Sequence, residues 1–431
     1  MNINLNWKWI GWGAAGILLV VLVVWFFFFR TTTALVPGTT PQTTGTFDSQ
    51  ATVGTTKEGG SGSVDQSEKL SSPVSTQKVF KISDGPIAGA TFMQELRPTT
   101  TIARFVKQDS GHVLDLAIDS PGSVARAASN TTIPGVAKVT WETQSASGHT
   151  EVAGSILQYV GDSAVKSVIL SFPIEATTTS ADSTSSPQAS TAPRPVRILF
   201  LPNDIISLAS SPDGTSLAYL IASQGGSDGY IARADGTNPK KAFSLPLSQM
   251  TLSWPSSQAL VATSKPAASV VGIALSINAT SGAISPLLYA SGLTTSVDPG
   301  FNQVVYKSAT DKDSTTYAHS MSSNLDRALS FDPNPEQCVW STSQASLLYC
   351  ATSLSYVPPG YIDMWHQGTA SVADSVIAYD FLTGQTVIVA TPGGSEGGIS
   401  SDIAELSVSP DDKYLMFIKK GDRSLWGIRL Y

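Results

Sequence analysis

Three patterns of apolar and polar residues follow one another along the chain. Residues 10–29 (IGWGAAGILLVVLVVWFFFF) carry no charge, and as a helix they would span roughly the 30 Å of bilayer hydrocarbon. Trp7, Trp9 and Trp12 lie at one end and Trp25 and Phe29 at the other, where aromatic rings settle among the headgroups. The pattern predicts a single transmembrane helix. The competing reading is a cleaved signal peptide, for which the run is long and only Thr32-Thr33-Ala34 offers a small-residue cleavage site. Residues 30–77 are dominated by Thr, Ser, Gly and Pro, a composition that cannot bury enough apolar surface to fold and predicts a disordered linker with a reach of about 40 Å. From residue 78 onward, short β-branched and apolar runs alternate with Gly, Pro, Asn, Asp and Ser, and helical periodicity is almost absent. That pattern predicts an all-β domain over 78–431.

Within that domain two stretches are nearly superimposable: ISLASSPDGTSLAYL (206–220) and AELSVSPDDKYLMFI (404–418). Each reads as strand, Ser-Pro-Asp turn, strand, with Pro pre-setting the turn. The same unit recurs at 252–262, 296–306 and 339–349, and in looser form around 139–160. Taking the last residue of each first strand as a marker gives Ser210, Trp254, Val297, Trp340 and Val408, with Trp141 and Phe92 as divergent earlier copies. Consecutive markers from Ser210 to Trp340 lie 44, 43 and 43 residues apart, the period of a four-stranded propeller blade. Two longer gaps hold insertions at 177–195 in blade 2 and 355–374 in blade 6. Seven markers imply a seven-bladed β-propeller. The last repeat has room for three strands only, and KVFKIS (78–83) is placed like KKAFSL (240–245), the fourth strand of its own blade. Residues 79–82 are therefore expected to pair with the C-terminal strands and close the ring. A pair of β-sandwiches is the structural alternative, and a fixed period over this length argues against it.

The units SPDGTSLAYL and SPDDKYLMFI resemble the Pro-Asp repeat of TolB-like propellers and of the propeller domain of prolyl oligopeptidases. The domain, with GPIAGATF and NTTIPGVAKVTW, is also similar to membrane-anchored bacterial propellers. The resemblance implies the fold and, since the TolB propeller docks proteins, a protein-binding role. The linker stands where TolB has a helical domain, so TolB's own partners do not carry over.

Charge narrows the partners. The 431 residues include 26 Lys+Arg and 33 Asp+Glu, a net charge of -7, with no basic run of the kind that releases counterions from nucleic acid. Nucleic acid is excluded as a partner. Membrane contact is expected only through the N-terminal helix. Lys8 and Arg30 flank that helix almost evenly, so orientation rests on the exported character of the linker: residues 1–9 in the cytoplasm, the propeller outside.

Motifs that carry chemistry are sparse. GGSDG (225–229) and GGSEG (393–397) fit the nucleophile elbow of hydrolases, but both fall between strands with no helix to follow. His112, His149, His319 and His366 are scattered without metal-ligand spacing, and Asp311-Lys312-Asp313 begins like a calcium loop without completing it. No metal, no cofactor and no catalytic residue is expected. Trp141, Trp254 and Trp340 share one repeat position and read as inter-blade packing.

Cys338 and Cys350 flank one hairpin. Centred on Gln344, it sets them opposite each other, close enough for a disulfide; built on the Pro-Asp-Gly turn instead, Cys350 falls diagonal. The blade-6 insertion places Tyr356, Tyr361, Met364, Trp365 and His366 outside the repeat, as anchors for a partner or, alternatively, as a plug over the channel mouth. The expected function is a membrane-tethered, extracytoplasmic module binding an envelope protein or polymer. The alternative is a glycan-binding or hydrolytic propeller, which a cluster of charged groups with perturbed pKa at one channel mouth would support.

Overall fold

The computed structural model describes residues 77–96, 99–120, 122–129, 131–146, 149–161, 164–172, 196–391 and 402–431. The segment 1–9, the helix expected at 10–29, the linker, the blade-2 insertion at 177–195 and the 393–397 motif lie outside the described residues.

Among the described residues, twenty-eight strands form seven four-stranded antiparallel sheets. Blades 1 to 6 are continuous in sequence, at 87–129, 136–200, 205–245, 250–291, 294–328 and 338–390. Blade 7 joins three C-terminal strands, Ile403–Val408, Tyr414–Lys419 and Leu425–Arg429, to Val79–Ser83. The closing register sets Val79 opposite Ile428 and Phe80 opposite Gly427. All seven marker residues lie on the first strand of their blades. A seven-bladed all-β propeller, closed as the repeat arithmetic requires, is the fold.

The core is a ring of seven inter-blade clusters among the described residues. Side chains alternate across each strand, so one strand serves two clusters. In blade 6, Leu348 and Cys350 face blade 5 with Val305, while Tyr349 and Ala351 face blade 7 with Ile403 and Leu415. The tryptophan markers belong to this layer. Trp340 packs on Phe381 and donates its indole N–H to Ser296 Oγ of blade 5, 3.1 Å away. Trp254 packs in the cluster of blades 3 and 4, and Trp141 in that of blades 1 and 2.

Antiparallel order puts the start of every first strand, the end of every second and the start of every third at one end of the ring. The blade-6 insertion joins Leu347–Ser353 to Asp374–Asp380, so it emerges at that end, called here the insertion face. The Ser-Pro-Asp turns join first to second strands and lie at the opposite end.

Candidate functional site

The insertion folds back onto its face. Pro358, Pro359 and Gly360, the last with φ 69°, turn the chain into a six-residue helix, Tyr361–His366. Ile362 is buried against Ala268 of blade 4 and Ala309 of blade 5. Asp363 Oδ1 accepts the Ala268 N–H at 2.8 Å. The Trp365 indole N–H donates to Asp402 Oδ1 at 2.9 Å, ahead of the first strand of blade 7. Lys420, also of blade 7, places its ammonium 4.1 Å from the Trp365 ring centroid and donates to the Trp365 carbonyl at 2.7 Å. The segment is thus fixed to blades 4, 5 and 7 as well as its own.

His366 Nδ1 lies 2.7 Å from the Ile362 carbonyl and Nε2 lies 2.7 Å from Glu336 Oε2. Both neighbours only accept, and an imidazole donates from both nitrogens only when protonated. Burial alone would lower this pKa; the hydrogen bond and charge of Glu336, with the Ile362 carbonyl, outweigh it and raise it.

Of the five insertion residues singled out in the sequence, four come together on the helix, with Tyr361, Met364 and Trp365 partly buried. Tyr356 stands apart, 79 % exposed, next to Leu354 at 57 %. Partners from blades 4, 5 and 7 and from the start of the next strand of blade 6 surround the helix, and periodicity gave no sign of them. Asp374 and Asp402 are buried at 3 % and 4 % exposure. Asp374 Oδ2 accepts the Ile403 N–H at 2.9 Å and the Gln337 amide at 3.4 Å. Burial, reinforced by the charge of Asp402, pushes Asp374 up to about 7. Burial lowers Lys420, opposed by Asp402, whose Oδ2 is 3.6 Å away. The Tyr361 hydroxyl is held above the ordinary phenol range by burial and by Asp402 and Asp374, and it has no hydrogen-bond partner.

A second group of charges lies at the insertion face, near the starts of the first strands of blades 2 and 7. Glu405, near the start of the first strand of blade 7, is half-exposed and contacts Arg423 at 3.3 Å. Burial among the surrounding blades raises its pKa, opposed by the charge and hydrogen bond of Arg423 and by the charge of Lys138. Lys138 of blade 2 reaches the same region. Desolvation lowers its pKa, while Glu405 and Glu336 oppose the shift and Lys265 of blade 4 adds to it. Arg423 is oriented by the carbonyls of Ile87 and Ala88, at 2.7 and 3.1 Å. Beside these groups lies a cavity of about 200 Å³ lined by Glu336, Glu405, Ser407, Leu406 and Met416 among others.

The remaining motifs are structural. Ser227 of the 225–229 motif is on a strand rather than in the expected loop, fully buried, its Oγ donating to the Leu247 carbonyl. His319 pairs with Asp326 at 2.9 Å and His112 lies 3.4 Å from Thr132 Oγ1, while the side chain of His149 is outside the described residues. Residues 311–313 form a solvated turn. Among the described residues no three His, Cys, Asp or Glu side chains converge on a metal position. Cys338 and Cys350 are directly opposed and bonded.

No protein-family model matches the chain, and no curated protein matches it. Among solved structures it is similar to an oligogalacturonate lyase in complex with manganese, at 12% identity and a TM-score of 0.48 over 81% of this chain and 99% of that one. It is also similar to Kuenenia stuttgartiensis hydrazine synthase, at 10% identity and 0.46 over 70% and 78% of the two chains. The β-propeller domain of the Trilobed protease from Pyrococcus furiosus matches at 11% identity and 0.40 over 65% and 78%. At these identities the likeness is one of fold alone.

Proposed function

We propose that the chain is a binding module of the cell envelope, held outside the membrane by the 10–29 helix and the 30–77 linker, and that it docks a protein through the insertion face. One observation carries this reading: the insertion is fixed to several blades and yet leaves Leu354 and Tyr356 exposed on its rim. A rigid platform with an aromatic left in solvent lowers the ordering cost of association. The test places a photo-crosslinking residue at position 356, or at Leu382, which is 85 % exposed on a turn of the opposite face, in the full-length protein in membranes. One defined partner captured at 356 and not at 382 is expected; equal capture at both, or none at 356, overturns the reading.

A second reading has its own support in the group of Lys138, Glu405, Arg423 and Glu336 beside the 200 Å³ cavity. Opposed charges with shifted pKa beside a cavity suit binding or cleavage of a polar polymer such as a glycan. Here envelope polysaccharide fragments should be retained or trimmed by the full-length protein and not by its Glu405→Gln variant, assayed by chromatography of the fragments.

A further inference from the structure

Beneath the insertion, between blades 5 and 6, lies a second cavity of about 80 Å³. That is room for about two or three waters, or for the head of a larger molecule whose body stays outside. Pro358-Pro359 of the insertion and Thr310, Lys312 and Asp313 of the blade-5 turn form part of its wall. Five of its polar wall residues, Lys307, Asn334, Gln337, Thr352 and Asp374, are more than nine-tenths buried. Two polar groups on its walls lack any hydrogen-bond partner, Asn334 Nδ2 and the Tyr361 hydroxyl.

The charges around this cavity do not balance. On the blade-7 side Asp402 is matched by Lys420 at 3.6 Å. On the blade-5 side Lys307 is matched by Asp332 at 2.6 Å, and its ammonium also donates to the Asp332 and Pro333 carbonyls. Lys312 and Asp313, also on the wall, are both exposed and of opposite sign. His366 and Glu336 satisfy each other. Asp374 has an amide N–H and a side-chain amide as hydrogen-bond neighbours and, among the described residues, no ion pair; the charge of Lys420, which pairs with Asp402, reaches it only from beyond contact distance. A buried carboxylate in that position is costly to ionise unless a positive charge is brought to it.

We propose that this cavity receives a primary ammonium group presented by a polypeptide partner, a lysine side chain or an amino terminus, with Asp374 as its counter-ion. The identity of the carrier as a polypeptide rests on the docking reading above. A compact head with three N–H donors suits the space; a carboxylate and a phenol hydroxyl would accept from it. A metal ion would need converging ligands that the described residues do not supply. Asn334 Nδ2 separates the two sources: an amino terminus carries a carbonyl next to its Cα that can accept this donor, whereas a lysine leaves it to water.

The experiment is calorimetric titration of the full-length protein in detergent at pH 5.5 and pH 7 with n-butylammonium and glycinamide. The controls are n-butanol, which lacks the charge, and tetramethylammonium, which lacks the N–H donors. Both amines should bind and neither control should. Binding should strengthen about ten-fold between the two pH values as Asp374 ionises, with buffer-dependent heat reporting the released proton. Asp374→Asn should weaken association at least ten-fold, and Tyr361→Phe, which keeps the ring in place, several-fold. Tighter glycinamide than n-butylammonium assigns the amino terminus; the reverse assigns lysine. Equal binding of n-butanol, or a pH-independent affinity in the unmutated protein, overturns the inference and leaves the cavity to water, even if Asp374→Asn fails to fold. Amine binding without capture at position 356 would sink the docking reading and not the site; capture without amine binding would do the opposite.

Discussion

Two copies of one turn differ by a single residue, and the difference shows how the ring couples neighbouring blades. In Ser211-Pro212-Asp213-Gly214 the last residue has φ 65°, and a Cβ there would meet the Thr143 carbonyl at 2.3 Å. In Ser409-Pro410-Asp411-Asp412 the same position has φ 51° and holds Asp412. Left-handed backbone costs an L-residue about 1–2 kcal/mol. Asp412 offsets this by crossing to blade 6, where it accepts from the Ser341 hydroxyl at 2.6 Å, the Ser343 N–H at 2.9 Å, Thr342 at 3.2 and 3.1 Å, and the Ser343 hydroxyl. Burial would raise its pKa, but the hydrogen bonds from Ser341 and Ser343 outweigh burial and hold it below the usual aspartate value. Its contribution is therefore present above the unfolded value of about 3.9 and lost as pH falls through the lower native value. Asp412→Ala, which keeps the strain and loses the bonds, should cost about 3 kcal/mol at pH 7 by urea unfolding. Asp412→Gly, which loses both, should cost less. A penalty that fails to shrink at pH 3 would remove the ionised carboxylate from the account.

At the scale of elements, the hairpin that closes the first strand of blade 6, Cys338–Trp340, shows what the sequence could and could not resolve. Two registers were open, and the structure takes the one with Cys338 opposite Cys350. The deciding contacts are the bonds from Asp412 to residues 341–343, some seventy positions away in sequence, so no local rule could choose between them. With only three residues paired in that strand, the covalent link carries much of its attachment. For a loop this short the chain-entropy estimate is about 3 kcal/mol, and Cys338→Ser/Cys350→Ser should lose about that much in denaturant titration, while reductant has no further effect on the double variant. The insertion helix teaches the same lesson. Its aromatics were legible as residues outside the repeat, but Asp402, Lys420 and Ala268 come from loops of blades 4 and 7 that carry no motif, Asp374 starts the third strand of blade 6, and only the ring places them together. His366 bears a raised pKa through Glu336, after the opposing effect of burial. The bond it makes is thus present below the unfolded value of about 6.5 and fades as pH rises through the native one. Histidine titration by NMR should place this residue above 6.5, and Glu336→Gln should bring it down. An unchanged value in that variant would locate the cause elsewhere.

For the whole molecule, the period of the repeat carried nearly everything: blade number, insertion positions and the closing strand all follow from markers about 43 residues apart. Closure can be isolated because the same local packing occurs twice. In blade 3 Phe243 of the fourth strand lies over Gly229 of the third, and in blade 7 Phe80 lies over Gly427 in the corresponding register. A Cβ on either glycine would come within 2.1 and 2.5 Å of the ring, so each aromatic occupies the space its glycine leaves. Phe→Ala at a buried position costs about 3–5 kcal/mol, and by local contacts the two variants should be equal. They differ in connectivity. The blade-3 strand follows its neighbour through a short turn, whereas Val79–Ser83 is separated from its partner strand by the whole of the ring. Loosening it uncovers the edge of Leu425–Arg429 and the cluster between blades 7 and 1, where Phe80 and Ile82 pack with Ile87 and Phe92. Phe80→Ala should therefore unfold at lower denaturant than Phe243→Ala, and limited proteolysis should add a cut between residues 78 and 86 in that variant alone. Identical midpoints and cleavage patterns would mean that the other six inter-blade clusters hold the ring closed without this strand.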